Sequence, residues 1–175
     1  CNDVTYYFRI HVGIKSAKTI VGHGHYEEGI YYHIANQAER KLESSLKVDE
    51  QQTNISWVRG VIESDCSIRK TDAQDHEKIL PGAVFEVYQW DKTKQGYEQT
   101  GQNLAYIDDT KLYVTTEKLR YDTTNEGKFR LIEIQPPEGY EGNWKEDINI
   151  LEEDFQDTVL EAENTLVRLP CGEIT

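Results

Sequence analysis

Several features that define common protein classes are scarce or missing in this chain of 175 residues. Three cysteines and no Cys-x-x-Cys pair exclude a dense disulfide framework and a sulfur-rich metal site. Apolar runs stay below the length of about 18 residues that a membrane-spanning helix needs, so we expect no transmembrane span. No signal peptide is visible, and the chain opens at Cys1 without a methionine. We therefore expect a processed or excised piece of a longer protein.

Basic residues are also in deficit. The chain has 19 Lys and Arg against 32 Asp and Glu, a formal net charge of −13. An acidic chain whose Lys and Arg do not cluster is a poor partner for nucleic acid and gains nothing at an anionic membrane. Residues 1–65 carry a net charge of −2 and the remaining residues carry −11. This contrast favours two units with different surfaces.

The first unit, residues 1–65, has the pattern of a small α+β segment. "VTYYFRIHVGI" (4–14) and "NISWVRGVI" (54–62) are rich in aromatic and β-branched residues and predict strands. Between them, apolar residues recur every four positions, which predicts a helix over 27–46. The recurring residues are Ile30, Ile34, Ala38, Leu42 and Leu46. The result is a β–α–β segment that is marginal as a free domain, and membership of a larger domain is the alternative left open.

From Cys66 onward, short β-type segments alternate with turn sequences. The segments are "SIRKTD", "AVFEVYQW", "KLYVTTEKL", "KFRLIEI", "EDINIL" and "DTVLEAENTLV", and the turns are "LPG", "DKTKQG", "DTTNEG" and "PPEGYEGN". No helix-length periodic pattern interrupts them. The sequence therefore predicts an antiparallel β-sandwich over 66–168, followed by a tail over 169–175.

Three polar residues in these segments stand at strand positions whose side chains should face the core. Successive side chains of a strand point to opposite faces, so residues two apart share a face. Strand ends and bulges change this parity, and edge residues that face water are the alternative explanation. The three are Lys70 beside Ile68, Glu133 beside Phe129 and Leu131, and Asn164 beside Leu160, Ala162 and Leu166.

Lys70, Glu133 and Asn164 form a chemical set if they meet in the core. Burial lowers the pKa of a lysine and frees its neutral amine, which is a nucleophile. Burial raises the pKa of a glutamate, so that it can carry a proton. An asparagine carboxamide can then accept the amine and release ammonia, leaving an amide between the two side chains. Holding the partners together in a dry core favours the reaction.

These residues also carry a family resemblance, from "IRKTD" and "LPGAVFEVYQW" through "NEGKFRLIEIQPPEGYEGNW" to "LEAENTL". The combination resembles Cna-B-type, SpaA-like pilin and adhesin domains of Gram-positive surface proteins over residues 67–166. Its motifs are K-x-D on the first strand, L-x-G-A-x-F-x-V-Y on the second, E-x-x-x-P-x-G-Y, and a closing strand that ends in Asn. "QPP" departs from the family, which more often has a small residue before the proline.

The resemblance implies a transthyretin-like or inverse immunoglobulin-like β-sandwich with a Lys70–Asn164 isopeptide bond whose formation Glu133 catalyses. It implies a structural or adhesive module rather than a turnover enzyme, and no cofactor. The expected partners are other surface or pilus subunits, or a host extracellular ligand, with no nucleic acid and no membrane contact. The expected location is extracellular, on a cell-wall-anchored protein whose anchor lies outside this chain.

The first 65 residues leave alternatives open. Histidines at 11, 23, 25 and 33 could be ligands of a small metal-dependent hydrolase, although the "HGH" spacing matches no zinc signature and we expect no functional metal. Exposed tyrosines there could serve an adhesin tip that binds a host ligand. Cys1 with Gln37 could form a thioester, although the surrounding residues do not match such domains.

Overall fold

The structure is a computed structural model that describes residues 17–18, 21, 25–27, 31–36, 39–43, 48–52, 56–153 and 155–167. Its strands are β1 His25–Glu27, β2 Tyr31–Asn36, β3 Glu39–Glu43, β4 Val48–Gln52, β5 Ser56–Gly60, β6 Glu63–Ser64, β7 Ser67–Asp72, β8 Asp75–Ile79, β9 Val84–Asp91, β10 Gly96–Ile107, β11 Leu112–Thr115, β12 Leu119–Arg120, β13 Lys128–Gln135, β14 Tyr140–Glu141, β15 Lys145–Asn149 and β16 Val159–Leu166. A short 3-10 helix spans Phe155–Asp157.

The predicted helix over 27–46 is wrong, because the residues described in this range form strands. β2 pairs with β1 and β5 in a three-stranded sheet, and β3 pairs with β4. The error has a physical reason. A spacing of four residues is close to one helical turn and is also two strand repeats, so the pattern alone does not distinguish a helix from a strand. The strand predicted over 54–62 contains β5, and the one over 4–14 lies outside the described residues.

The mainly β prediction is confirmed from residue 66 onward. Nine strands form one sheet in the order β14-β16-β7-β11-β10-β9-β13-β15, with β8 beside β7. The pairs in this sheet are antiparallel except β7 with β16, which run parallel. Three strands of this sheet were not predicted. β8 and β10 were missed because "DHEKI" and "GYEQTGQNLAYI" are rich in charged residues or glycine, and the two-residue β14 lies in a segment predicted as a turn. Pairing with neighbouring strands overrides such weak local propensity.

The long strand β10 curls the sheet over its own core. Its first part pairs with β9 and its last part with β11, with an irregularity in register between Gln99 and Asn103. Bulges of this kind bend a strand. Gly101 has φ +81° at this point, a conformation that favours glycine. The bend brings the β7–β16 end of the sheet over the β9–β13 end.

The core lies between these two parts of the sheet and follows the alternation of the strands. In β13, the side chains at 129, 131 and 133 are buried, and those at 128, 130 and 132 are only half-buried. Ile68, Phe85, Val87 and Leu131 are fully buried. Burying one such side chain contributes roughly 1.5–3 kcal/mol. The core therefore holds the two parts of the sheet in fixed registration.

Residues before the sandwich also contact it. β6 pairs with β12, and the backbone N–H of Tyr121 donates to the carbonyl of Ile62 over 2.9 Å. Ala17 and Val21 are half-buried and pack against the hydrophobic core. The division at residues 65 and 66 stays a prediction.

Candidate functional site

Two neighbouring strands position Lys70 and Asn164. β7 and β16 run parallel, with Lys70 opposite Ala162 and Asp72 opposite Asn164. Since paired residues and residues two apart share a face, these four side chains lie on one side of the sheet. All four are buried. Lys70 and Asn164 are therefore diagonal neighbours on the core face of the first and last strands of the nine-stranded sheet.

Glu133 reaches the same place from the other part of the sheet. It lies on β13 opposite Phe85 of β9. Its Oε1 is 3.0 Å from Nζ of Lys70, and its Oε2 accepts a hydrogen bond of 3.0 Å from Nδ2 of Asn164. The structure thus brings all three predicted site residues together, with one carboxyl group touching both of the others.

The site is dry and incompletely satisfied. The side chains of Lys70 and Glu133 have 0% exposure, and Asn164 is 2% exposed. Nζ of Lys70 and Oε1 of Glu133 form an ion pair with each other; among the described residues these two atoms and Oδ1 of Asn164 have no further hydrogen-bond partner. Buried polar atoms that lack a full set of partners are costly, roughly 1–3 kcal/mol each, so their grouping at one point is unusual for a purely structural core.

Burial governs the protonation of Lys70. Desolvation lowers the pKa of its ammonium group, and this effect outweighs the hydrogen bond and the charge of Glu133, which act in the opposite direction. A lowered pKa increases the fraction of neutral amine at a given pH. The environment therefore favours the nucleophilic form of this lysine.

Aromatic rings wall the site. The ring centroid of Phe85 is 5.9 Å from Nζ of Lys70. Phe85 in turn makes edge-on contacts with Tyr113, at 5.0 Å between centroids, and with Trp144, at 5.8 Å. The carbonyl of Trp144 accepts the backbone N–H of Glu133. These rings keep water away from the amine and lower the local dielectric constant.

A loop that the sequence did not assign to the site closes it from one side. We name residues 136–143 the PPEGYEGN loop. Its Glu141 carbonyl accepts a second hydrogen bond from Nδ2 of Asn164, over 3.2 Å. A Cβ atom on Gly142 would lie 1.7 Å from that nitrogen, so only glycine fits there. The close approach of Gly142 to Asn164 depends on the path of the turn. The sequence pattern predicts only that "EGYEGN" contains a turn.

Tyr140 of the same loop contacts β7. Its hydroxyl donates to Oδ2 of Asp72 over 2.9 Å. Asp72 is the aspartate of the K-x-D motif, and its side chain was given no role by the sequence pattern. The motif residues of the first strand and of the loop are therefore in direct contact at the edge of the site.

The arrangement can support one type of reaction. A lysine amine, an asparagine carboxamide and a carboxyl group that touches both are the components for transferring the acyl group of the amide to the amine. Nδ2, the nitrogen that leaves in such a transfer, lies within hydrogen-bond distance of Glu133. Proton transfer between the amine and the leaving nitrogen can therefore pass through one side chain.

The other residues considered from the sequence form no comparable site among the described parts of the chain. Positions 11 and 23 of the histidine group, Cys1, Gln37 and Cys171 lie outside the described residues. His25 and His33 are opposite each other in β1 and β2. The described residues contain no group of three or more potential metal ligands. Burial raises the pKa of the Cys66 thiol to about 12, so this cysteine is unreactive.

No helix within the described residues is long and apolar enough to cross a membrane.

Comparison with known proteins identifies the domain type. A family model described as SpaA, prealbumin-like fold domain matches residues 64–165. No curated protein matches the chain.

Similar solved structures include domains D2 and D3 of the major pilin SpaD from Corynebacterium diphtheriae, with 19% identity, a TM-score of 0.43, and coverage of 77% of this chain and 58% of that one. The Bacillus anthracis TIE protein has 18% identity, a TM-score of 0.40, and coverage of 78% and 25%. The shaft pilin SpaA from Lactobacillus rhamnosus GG has 13% identity, a TM-score of 0.36, and coverage of 74% and 68%. The chain spans less than two thirds of the length of the first two.

Proposed function

Since this chain belongs to the SpaA family of prealbumin-like fold domains, we propose that it is a structural module of a Gram-positive surface or pilus protein. In this proposal an isopeptide bond between Lys70 and Asn164 locks the sandwich. The chain forms the bond once, on itself, with Glu133 as the catalytic residue. It is not an enzyme that turns over a substrate.

The contact of one buried carboxyl group with both partners carries the proposal. Glu133 lies 3.0 Å from Nζ of Lys70 through one oxygen and 3.0 Å from Nδ2 of Asn164 through the other. A buried ion pair stabilises a fold little, and replacing one by apolar residues is often favourable. An acid, an amine and an amide in one dry pocket are better explained by a reaction that removes the buried charge.

The reaction is balanced within the three side chains. The neutral amine of Lys70 attacks Cγ of Asn164, and a new C–N bond forms. Glu133 takes a proton from Nζ and gives a proton to Nδ2, so its own protonation is restored. The Cγ–Nδ2 bond breaks, ammonia leaves, and a secondary amide joins the two side chains. Both uncharged products suit the buried pocket better than an ammonium–carboxylate pair.

The bond would tie the first and last strands of the nine-stranded sheet. β7 and β16 are adjacent and parallel, and a force that pulls the two ends of the domain in opposite directions would shear this pair. A covalent link between the two strands removes shearing as a route to unfolding. This property suits a subunit that carries tension between a cell and a surface.

We infer the setting of the module from its family. Several of the similar structures are described as pilins, and we infer partners of the same kind, namely other subunits of a surface or pilus assembly. We infer an extracellular location on a cell-wall-anchored protein. Host-ligand binding by the segment before the sandwich is an extension of this proposal.

We also propose that residues 66–168 fold as an autonomous unit, with residues 1–65 appended and residues 169–175 as a tail. Limited proteolysis tests this division. A protected fragment that begins near residue 66 supports it. If the pairing of β6 with β12 protects the boundary, the fragment should begin near Ile62 instead. Joint protection of both units, with co-migration of the fragments, contradicts it.

Peptide mapping tests the cross-link. After proteolysis of the folded chain, we expect one branched peptide that joins the segment containing Lys70 to the segment containing Asn164. Glu133→Gln preserves the shape of the side chain and removes its proton-carrying group, so this variant should fold and yield two linear peptides. Lys94→Ala is the matched control, because Lys94 is exposed and lies in the turn between β9 and β10, away from the pocket; it should retain the branched peptide. Linear peptides from the wild-type chain would contradict the proposal.

A further inference from the structure

The carboxamide of Asn164 is held by two acceptors that come from different parts of the fold. Nδ2 donates to Oε2 of Glu133 over 3.0 Å and to the carbonyl of Glu141 over 3.2 Å. Two acceptors on one NH₂ group fix the plane and the rotation of the amide. Attack by an amine requires a defined approach to the carbonyl carbon, so this orientation bears directly on the reaction.

The acceptor from the PPEGYEGN loop is itself weakly anchored by its backbone. Glu141 belongs to β14, which has two residues. Its pairing with β16 consists of Tyr140 with Leu166 and Glu141 with Thr165, extended by one hydrogen bond from the backbone N–H of Val167 to the carbonyl of Gly139. So short a ladder fixes little by itself. The loop gains a firmer attachment through the side chain of Tyr140, whose hydroxyl donates to Oδ2 of Asp72 over 2.9 Å.

Asp72 is well placed to hold the loop against the reacting strands. It is 6% exposed, lies two residues after Lys70 on β7, and is the register partner of Asn164 on β16. The Tyr140–Asp72 hydrogen bond therefore connects the loop that orients the carboxamide to the strand that carries the amine.

The electrostatic setting strengthens this hydrogen bond. Oδ1 of Asp72 accepts the backbone N–H of Gln74 over 2.8 Å, and Nζ of Lys78 lies 3.8 Å from Oδ2. The hydrogen bond from the backbone N–H of Gln74 has the largest effect in lowering the pKa of Asp72, and the hydrogen bond from the Tyr140 hydroxyl has the next largest. Nζ of Lys78 also lies 5.5 Å from the centroid of the Tyr140 ring. An ionised acceptor makes a shorter and stronger hydrogen bond than a neutral one.

We propose that Tyr140 and Asp72 are positioning residues for the cross-linking reaction. Their hydrogen bond holds the Glu141 carbonyl on Nδ2 of Asn164, which turns the carboxamide carbon toward Lys70. This inference rests on the proposed function, and it assigns roles to two residues that do not touch the reacting atoms. Without the bond, β14 can separate from β16 and the carboxamide gains rotational freedom.

The rate of ammonia loss tests the inference. The full chain is made by cell-free synthesis, samples are quenched in acid at intervals, and intact masses give the fraction cross-linked. Misplacement of a reacting group by about 1 Å can slow a reaction by on the order of a hundredfold. We expect Tyr140→Phe to slow cross-linking by roughly tenfold to a hundredfold. Parallel samples that are not treated with acid should show that this variant is folded.

Three further variants distinguish positioning from general destabilisation. Asp72→Asn can still accept from Gln74 and donate to the oxygen of Tyr140, so it should restore most of the rate that Asp72→Ala loses. Tyr97→Phe is the matched control, since Tyr97 is also a partly exposed tyrosine, whose ring centroid lies 4.1 Å from Cζ of Arg130 and does not contact the PPEGYEGN loop. It should react at the wild-type rate. If Asp72→Ala fails to fold, Tyr140→Phe against Tyr97→Phe decides.

The outcomes separate the two proposals. A wild-type chain that loses ammonia at the same rate as Tyr140→Phe overturns the positioning role and leaves the proposed function intact. Equal slowing by Tyr97→Phe overturns it as well, because the effect is then not specific to this loop. A folded wild-type chain that never loses ammonia overturns both proposals.

Discussion

Two buried asparagines in this domain are satisfied to very different degrees. Asn125, in the turn between β12 and β13, is 1% exposed. Its Oδ1 accepts the N–H groups of Asp122 and Gly127, and its Nδ2 donates to the carbonyl of Arg120 and to Oδ2 of Asp122. Asn164 is 2% exposed. Its Nδ2 donates two hydrogen bonds, but its Oδ1 has no partner among the described residues.

The difference shows how a side chain of one type serves two purposes. Asn125 replaces backbone hydrogen bonds inside a turn, and its full set of partners makes it a structural residue. The unpaired carbonyl of Asn164 lies in a pocket with a buried amine whose pKa is lowered by desolvation. The first arrangement stabilises a conformation, and in our proposal the second places an electrophile beside a nucleophile. Substitutions at the two positions should therefore have different consequences.

The largest expected effect comes from Asn164→Ala. The proposed bond closes a loop of roughly 90 residues, and restricting the unfolded chain to this extent is worth about 4–5 kcal/mol by the loop-entropy model used for disulfides. We expect Asn164→Ala to lower the free energy of unfolding by that amount and to have the full mass of its sequence. Denaturant unfolding of both chains measures the difference.

Asn125→Ala is the companion measurement. It removes side-chain hydrogen bonds and leaves backbone groups unpaired, which costs about 1–3 kcal/mol. It should leave the cross-link in place. If Asn125→Ala destabilises the domain as much as Asn164→Ala, or if the two midpoints equal that of the wild type, the distinction between a structural and a reactive asparagine fails.

Gly142→Ala should have the next largest effect, because it disturbs Asn164 without changing it. The new methyl group would collide with Nδ2, 1.7 Å away, and must displace the carboxamide or the loop. We expect cross-linking to be slowed by on the order of a hundredfold. Gly96→Ala is the control, since its nearest contact would be 3.9 Å and it should cross-link normally. Equal fractions of cross-linked protein in the two variants would show that Gly142 has no role in the site.

A smaller effect is expected in how the free energy of unfolding depends on pH when the cross-link is absent. In Asn164→Ala, Lys70 remains buried with a lowered pKa, whereas its pKa in the unfolded chain is near 10.5. Between these two values the unfolded state binds more protons, so the free energy of unfolding should rise with pH, by at most about 1.4 kcal/mol per pH unit.

Other lysines titrate in the same range, so the contribution of Lys70 must be isolated. The double variant Asn164→Ala/Lys70→Met keeps similar volume and removes the titrating group. The difference in free energy of unfolding between Asn164→Ala and the double variant should rise with pH across this range. A flat difference would mean that Lys70 has an ordinary pKa in the folded domain.

The smallest expected effect lies in the turn that contains Asn125. Glu126 pairs with Lys92 and Lys128 at 2.6 and 2.7 Å, and hydrogen bonds from Lys128 and then Lys92 lower its pKa to about 2. Its stabilisation is present above the ordinary pKa of 4.5 and is lost as the pH falls toward 2. Because the side chains are partly exposed, Glu126→Gln should cost less than about 1 kcal/mol at neutral pH. The difference from wild type should disappear near pH 2 in acid titrations of stability; a difference that persists there would contradict this assignment.

The sandwich was readable from the sequence because its strands alternate cleanly. "SIRKTD" and "KFRLIEI" place Lys70 and Glu133 on the parity of core residues, and the structure buries both. The parity shows which face a residue occupies. It does not show that β7 and β13, which are separated by three strands in the sheet, come into contact through the bend in β10. That contact was expected from the chemical set and the family resemblance, and the chemical roles remain a prediction.

The failures have equally specific causes. The strands in residues 31–43 were mistaken for a helix because a four-residue spacing suits both structures. β10 was missed because its sequence has few β-branched residues, and its stability comes from two neighbouring strands. Gly142 and the Tyr140–Asp72 hydrogen bond were missed because they depend on where a turn returns to the sheet, and neither leaves a periodic signal in the sequence.

The intact mass of the natively folded wild-type chain, measured after reduction of its cysteines, tests the central claim most directly. The proposed reaction between Lys70 and Asn164 would release one ammonia and change nothing else in the covalent structure. The account predicts a single species lighter than the sequence by one molecule of ammonia, with Lys70→Ala restoring the full mass. A folded wild-type chain with the full mass of its sequence would contradict it.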